Sequence, residues 1–394
     1  MRNKRNATIA AVISLVVMVV GFWLILRNIG DPDKPLNTLA PSGKQNWEIF
    51  GLVKPVFAIA GLVFLLVEVA VIWMVVRFRR NRNDVDGVDE PTQTHGNTPL
   101  EITWTVVPAL LLAVLAVFNV QTLLNLEESN DPIEVRVIGQ QWWWEYRYDI
   151  DRDGEVDIIT ATQIVVPVGR DVELKIQSND VIHSFWIPAI NGKKDAVPGR
   201  THTLIMTADK PGIYQGQCTE FCGLSHGVMR MELKALPQAE YDEWVAAMTK
   251  APEQPTTAKA LAGQELFVAQ CARCHQVNGL RPDSTPPYTY DDVPNPDYGA
   301  SVDITVSSGN APNLTHLMMR QTFAGSLLPL YEGKAAESVT AVPDGIPATS
   351  DLKDWLRDPE AIKPMNPDNG QGMPNLQLTE EQIDQLVAYL VTLK

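Results

Sequence analysis

Three apolar runs crowd the first third of the chain: residues 7–26 (ATIAAVISLVVMVVGFWLIL), roughly 53–76 and roughly 102–124. Each is about 20 residues long, the length a helix needs to cross the hydrocarbon of a bilayer. A chain built this way must separate a lipid-anchored region, residues 1–128, from whatever folds in water. Arg2, Lys4 and Arg5 precede the first run, and Arg77, Arg79, Arg80 and Arg82 follow the second. Counting basic residues places 77–100 in the cytoplasm and everything beyond residue 125 on the outer face of a bacterial-type membrane. The first run also has the charged start and apolar middle of a signal peptide, but no clear small-x-small cleavage site; a third span and a cleaved leader both stay open. Pro108 is tolerable inside a membrane helix. Glu68 lies within the second run and is a functional candidate or a hydrogen-bonding partner for another helix. Glu101 opens the third run, where the helix dipole favours an acid.

The net charge of −15 over 394 residues belongs entirely to the hydrophilic part. Residues 1–128 balance at zero, residues 129–250 carry −6 and residues 251–394 carry −9. No basic footprint exists for a phosphate backbone, which excludes nucleic acid as a default partner. An acidic surface instead attracts basic proteins.

Four cysteines come as two close pairs, Cys218/Cys222 and Cys271/Cys274, each just ahead of a histidine, His226 and His275. Disulfide frameworks spread their cysteines, so ligation is the better reading. Residues 133–149, 163–177 and 202–207 are rich in β-branched and aromatic side chains and are separated by turn-like clusters such as DRDG and PVGRD. No helical period precedes about Gln238, so residues 129–248 read as a small β-sandwich or barrel. The loop Cys218-Thr-Glu-Phe-Cys222-Gly-Leu-Ser-His226-Gly-Val-Met229, with His183 upstream, supplies two thiolates, two imidazoles and a thioether. That soft set suits copper, and two thiolates in one turn can bridge two metals. Zinc would use Cys₂His₂ but gains nothing from methionine; a disulfide with incidental histidines is the remaining alternative.

A polar, proline-containing stretch at 249–258 reads as a linker. Residues 259–270 read as a helix running into Cys271-Ala272-Arg273-Cys274-His275, the attachment motif of c-type haem. Thr379-Glu380-Glu381-Gln382 has the pattern of a capping box opening a last helix, with Ile383, Leu386, Val387, Leu390 and Val391 on its apolar face. This order describes an all-α haem domain over 259–394. Met318, Met319, Met365 and Met373 are candidates for the sixth ligand; Met373, in GQGMPNLQLTEEQ, resembles the methionine loop of class I cytochromes c. Residues 280–303 look like an acidic insertion rich in proline and tyrosine. His95, His202 and His316 read as surface or locally hydrogen-bonded residues.

The run from Trp142-Trp143-Trp144-Glu145-Tyr146, through HSFWIPA and KKDAVPGR, to YGQCTEFCGLSHGVM resembles subunit II of cytochrome c oxidase over roughly residues 50–247. The resemblance implies transmembrane helices followed by a cupredoxin-like Greek-key barrel or sandwich. It also implies a dinuclear copper centre, CuA, with Cys218 and Cys222 bridging and His183 and His226 binding one ion each. Met229 and the Glu220 carbonyl would be weak ligands, and the Glu220 carboxylate would reach a magnesium shared with subunit I. Glu101 would match the acid at the mouth of a proton path, and Trp142 the tryptophan through which electrons enter; a core aromatic is its plainer reading. The sequence departs from the family at Gln140, commonly histidine, and at Trp143, commonly tyrosine.

With the haem domain added, the chain resembles the fused form of that subunit. The function implied is transfer of electrons from a basic cytochrome c-type donor, or a quinol–cytochrome c reductase, through haem c to CuA. From there they reach the oxygen-reducing site of subunit I, coupled to proton translocation. Other oxidase subunits and the lipid bilayer are the remaining expected partners. A copper carrier with an accessory cytochrome is a competing reading, against which the paired spans and the tryptophan run argue. The quinol-oxidising branch of the family lacks these copper ligands.

Overall fold

The computed structural model describes residues 13, 16–24, 35–78, 95–278, 280, 288–289, 311–366 and 370–394. Of the expected run at 7–26, residues 16–24 are helical. Arg79, Arg80, Arg82 and nearly all of the expected 280–303 insertion lie outside the described residues. The chain divides into two units, Met1–Asp31 with Glu48–Leu126, and Pro32–Trp47 with Glu127–Lys394.

The first unit holds two helices long and apolar enough to cross a membrane, α1 (Lys44–Arg77) and α2 (Thr98–Asn125). At the start of α2 the Asn97 side chain accepts from the Leu100 N–H, and the Glu101 carboxylate accepts from the Asn97 N–H at 3.0 Å. Glu101 is thus an acid that closes its own helix N-terminus, where the backbone donors have no intrahelical partner.

Helix α1 begins well before the apolar run because its first turn belongs to the second unit. Asn46 donates to the Pro188 carbonyl at 2.8 Å, and Gln45 exchanges hydrogen bonds with Thr207. Both residues are buried, so this polar turn is fixed by tertiary contacts that hydropathy does not report.

In the second unit, alternating apolar residues build a two-sheet sandwich. Its strands are β1 (Ile133–Gln140), β2 (Trp143–Tyr148), β3 (Glu155–Val156), β4 (Ile158–Ala161), β5 (Gln163–Pro167), β6 (Val172–Ser178), β7 (His183–Phe185), β8 (Lys194–Ala196), β9 (His202–Met206), β10 (Gly212–Gln217) and β11 (Arg230–Leu236). One sheet runs β4-β2-β1-β6-β9 and the other β10-β11-β5. β1 pairs parallel with β6 and β5 with β11; the other pairings are antiparallel. Trp144, Tyr146 and Tyr148 bury between the sheets, and the Tyr148 hydroxyl donates to the Val165 carbonyl, tying one sheet to the other. The next helix, α3 (Gln238–Met248), packs Trp244 against Tyr148.

The C-terminal region is held by a crossing of α4 (Ala258–Gln270) and a closing helix, Glu380–Leu390. Thr379 and Gln382 form the full capping box. The crossing is close at Gly263, where an added Cβ would lie 2.0 Å from the Gln385 carbonyl oxygen. Phe267 and Tyr389 stack beside it with ring centroids 5.5 Å apart.

This region also packs directly on the sandwich. Met319 and Ala341 join the sandwich core, while Met318 is buried in the core of the haem region. Arg320 Nε donates to Thr160 Oγ1, and the Thr322 hydroxyl donates to the Glu232 carboxylate. His316 is neither a surface residue nor locally bonded: it is buried and its Nε2 meets the Lys250 carbonyl at 3.0 Å. Burial pulls its pKa down to about 4. His202 does bond nearby, to the Asp195 carbonyl, and His95 is exposed.

Gly263→Ala should destabilise the haem region by about 1–3 kcal/mol or more, because backbone on the facing helix must move. Urea unfolding followed through the haem region would show a lowered midpoint; an unchanged midpoint would contradict this packing.

Candidate copper and haem sites

The copper-type donors gather on one loop and one strand end. β10 delivers Cys218 and the turn returns through a short 3₁₀ segment, His226–Val228, into β11, which places Met229 beneath the loop. Cys218 Sγ and Cys222 Sγ are 3.9 Å apart. His226 Nδ1 lies 3.5 Å and Met229 Sδ 3.7 Å from Cys222 Sγ, and the Glu220 carbonyl oxygen lies 3.4 Å from Cys218 Sγ. A His183 ring nitrogen and both sulfurs lie within 4.8 Å of one another. The Glu220 side chain itself is exposed.

Neighbouring groups orient these donors. Asp180 Oδ1 holds His183 Nε2 at 2.7 Å, leaving Nδ1 buried without a hydrogen-bond partner. A second-shell carboxylate of this kind fixes the tautomer of a ligating histidine and raises its basicity. Burial opposes a proton on His183, but Asp180 and the Cys218 sulfur together raise its pKa. Cys218 is drawn down to about 4, chiefly because it shares a hydrogen with Cys222 and also because His183 faces it. Cys222 is pushed up by the same sharing and by burial. A half-deprotonated thiol pair beside an unpartnered imidazole nitrogen fits a soft metal set.

Gly139 is needed for the His183 ring: a Cβ there would lie 2.9 Å from His183 Cδ2 and 3.1 Å from Trp144 Cζ3. The Cys222 carbonyl accepts from Gln141 Nε2 at 2.6 Å and from Trp142 Nε1 at 3.0 Å. Trp142 is almost fully buried. The sequence reading missed Asp180, Gly139 and Gln141. Only Asp180, three residues before His183 in a turn, offered any signal.

In the haem region, Cys271, Cys274 and His275 form a tight turn at the end of α4, with the Cys274 and His275 N–H groups donating to the Cys271 carbonyl. His275 Nδ1 meets the Pro312 carbonyl at 2.8 Å, leaving Nε2 as the nitrogen open to a metal. Burial lowers the pKa of this imidazole, which favours the neutral, ligating form. Met373 is half-buried against the same core as Cys271, Ala272 and Val277. Gly372, in the left-handed region, brings its backbone close to Met365. The donors thus fit a thioether-linked haem with a histidine ligand. A second group, Asp149, Asp151 and Asp153, sits in the half-buried to exposed turn between β2 and β3.

The fold and both sites define a membrane-anchored electron-transfer protein, in which a cupredoxin-like sandwich is followed by a cytochrome c region. Residues 40–122 match the family model for the transmembrane domain of cytochrome c oxidase subunit II, residues 149–236 that for its periplasmic domain, and residues 260–394 that for cytochrome c. Cytochrome c oxidase subunit 2 of Alkalihalophilus pseudofirmus is 33% identical over 374 residues, covering 92% of each chain. The same subunit of Bacillus subtilis is 30% identical over 397 residues, covering 96% of this chain and 97% of the relative. The crystal structure of the periplasmic domain of subunit II of cytochrome oxidase from Bradyrhizobium japonicum covers 31% of this chain and 96% of its own, at 28% identity and a TM-score of 0.28. The chain belongs to the cytochrome c oxidase subunit II family and carries a cytochrome c domain. Copper and haem binding follow from these matches.

Asp180→Ala should free the His183 ring and weaken copper binding about 10–100-fold. Competition titration against a copper chelator would measure this; wild-type affinity would show that Asp180 does not orient the ligand.

Proposed function

We propose that this chain is the subunit through which electrons enter a haem–copper oxidase, with a covalent haem c and a dinuclear CuA centre in series. When bound, the two centres supply one-electron steps, from a c-type donor through the haem to the copper pair and on to subunit I, where oxygen reduction is coupled to proton translocation. The observation that carries this reading is the convergence of two sulfurs 3.9 Å apart with two imidazoles, a thioether and a backbone carbonyl.

The chain's own residues then have distinct tasks. Cys218 and Cys222 would hold both copper ions, His183 and His226 would each hold one, and Met229 and the Glu220 carbonyl would be weaker donors. Glu220's exposed carboxylate would be the ligand offered to a magnesium shared with subunit I. Cys271 and Cys274 would anchor the haem, and His275 and Met373 would be the ligands of its iron. Trp142, whose indole N–H donates to the Cys222 carbonyl, is the aromatic through which an electron passes to the copper loop. Glu101, at the cytoplasmic start of α2, stands at the mouth of a proton path while also capping its helix. The boundaries 1–128, 129–248, 249–258 and 259–394 are the working division into anchor, copper domain, linker and haem domain, with the last three on the outer face.

The charge of −9 beyond residue 250 favours a basic donor, so the first reduction is an encounter that salt slows. The internal step involves no encounter, because the tether holds the two centres together. Stopped-flow absorption on the assembled oxidase should show haem reduction first, slowing as salt rises, and copper reduction second, nearly insensitive to salt. Copper reduction ahead of haem reduction would overturn the serial order.

A further inference from the structure

The haem region reaches the copper loop with one cation. Lys363 follows a one-turn helix, Pro359–Ile362, and its Nζ donates to the Trp142 carbonyl and, at 3.4 Å, to the Ala324 carbonyl. Ala324 sits in the turn of the hairpin that pairs Thr322–Phe323 with Leu328–Pro329. That turn passes through Gly325, in the left-handed region. A Cβ on Gly325 would lie 2.6 Å from Lys363 Nζ and 3.1 Å from the Val228 carbonyl oxygen of the copper loop. The next residue, Pro364, offers its carbonyl to the Ser225 hydroxyl at 2.7 Å, and Ser225 is the residue before His226. Two ties therefore join residues 363–364 to the copper loop and its tryptophan.

A buried ammonium is costly unless it is paired and fully hydrogen-bonded. Among the described residues no carboxylate pairs with Lys363; its partners are two carbonyl oxygens. Burial draws its pKa down to about 7. A solvated tether would not need such a group. The arrangement makes sense where a positive charge locks the haem region against the copper loop. Trp142 links the two sides: its carbonyl accepts from Lys363, and its indole N–H donates to the Cys222 carbonyl.

We propose that Lys363 is the positioning residue for electron transfer between the haem and copper centres of this chain. It fixes the haem region on Trp142 and holds a positive charge beside the copper loop. The inference rests on the relay reading above and deepens it. Trp142 is covered by this chain's own cytochrome region and receives its electron from within the chain. The step it serves moves one electron from reduced haem iron to the oxidised copper pair, and no proton or further reactant is required. Lys363 touches neither centre and acts through Trp142 and the loop.

The test uses the intact oxidase, with copper and haem content measured first. Wild type lacking either centre would overturn the relay itself, independently of Lys363. With both centres loaded, Lys363→Met should slow haem-to-copper transfer at least about tenfold, since small misplacements cost large factors in rate. It should also lower the copper midpoint potential relative to wild type, because removing a nearby positive charge disfavours the more reduced state. Lys363→Arg keeps the charge and should retain most of the rate and the potential. A merely structural latch would not move the potential. Equal transfer rates in wild type and Lys363→Met, an unmoved potential, or equal damage from Met and Arg would each overturn the proposal. If Lys363→Met fails to assemble, Ser225→Ala carries the test by removing the second tie. Several-fold slower transfer is expected from it, and a wild-type rate overturns the proposal.

Discussion

Two thiols held 3.9 Å apart inside a protein are the constraint on which the rest of the outer region depends. Left alone they share a hydrogen and depress one thiol while raising the other. The surroundings keep that pair open to a metal rather than closed on itself. Asp180 occupies the outer nitrogen of His183, Gly139 leaves room for the ring, and Gln141 and Trp142 both hold the Cys222 carbonyl. The sandwich supplies the rigidity for this, because Trp144 and Phe185 pack edge to face in its core directly behind His183.

The haem region answers a different constraint. Its own core closes by a tight helix crossing that only a glycine at 263 permits. It also packs against the sandwich through Met319, Ala341, Arg320 and Thr322. That shared burial makes residues 127–394 part of one folded unit. A tether raises effective concentration, but a docked interface also selects orientation, which a tether alone cannot do.

What the sequence made legible was local. Cys271-Ala272-Arg273-Cys274-His275 carries its chemistry in five consecutive residues, and Thr379 to Gln382 carries its cap in four; both stand in the structure as turn and capping box. The apolar runs marked α1 and α2 for the same reason. Long-range features were hidden. Helix α1 starts early because Gln45 bonds to Thr207 and Asn46 to Pro188, each more than a hundred residues away. His316 looked like a surface residue because nothing near it in sequence shows the Lys250 carbonyl that it meets. Nothing near Lys363 in the sequence marks it out. Only the fold brings the Trp142 carbonyl to it.

The central claim is that one chain holds two different redox centres, copper on the loop around Cys218 and Cys222 and iron at His275. The most direct measurement is metal analysis of the purified intact protein combined with electron paramagnetic resonance. The account predicts two coppers and one iron per chain, with a single unpaired electron shared by the copper pair. One zinc per chain in place of copper, or two magnetically separate coppers, would contradict it.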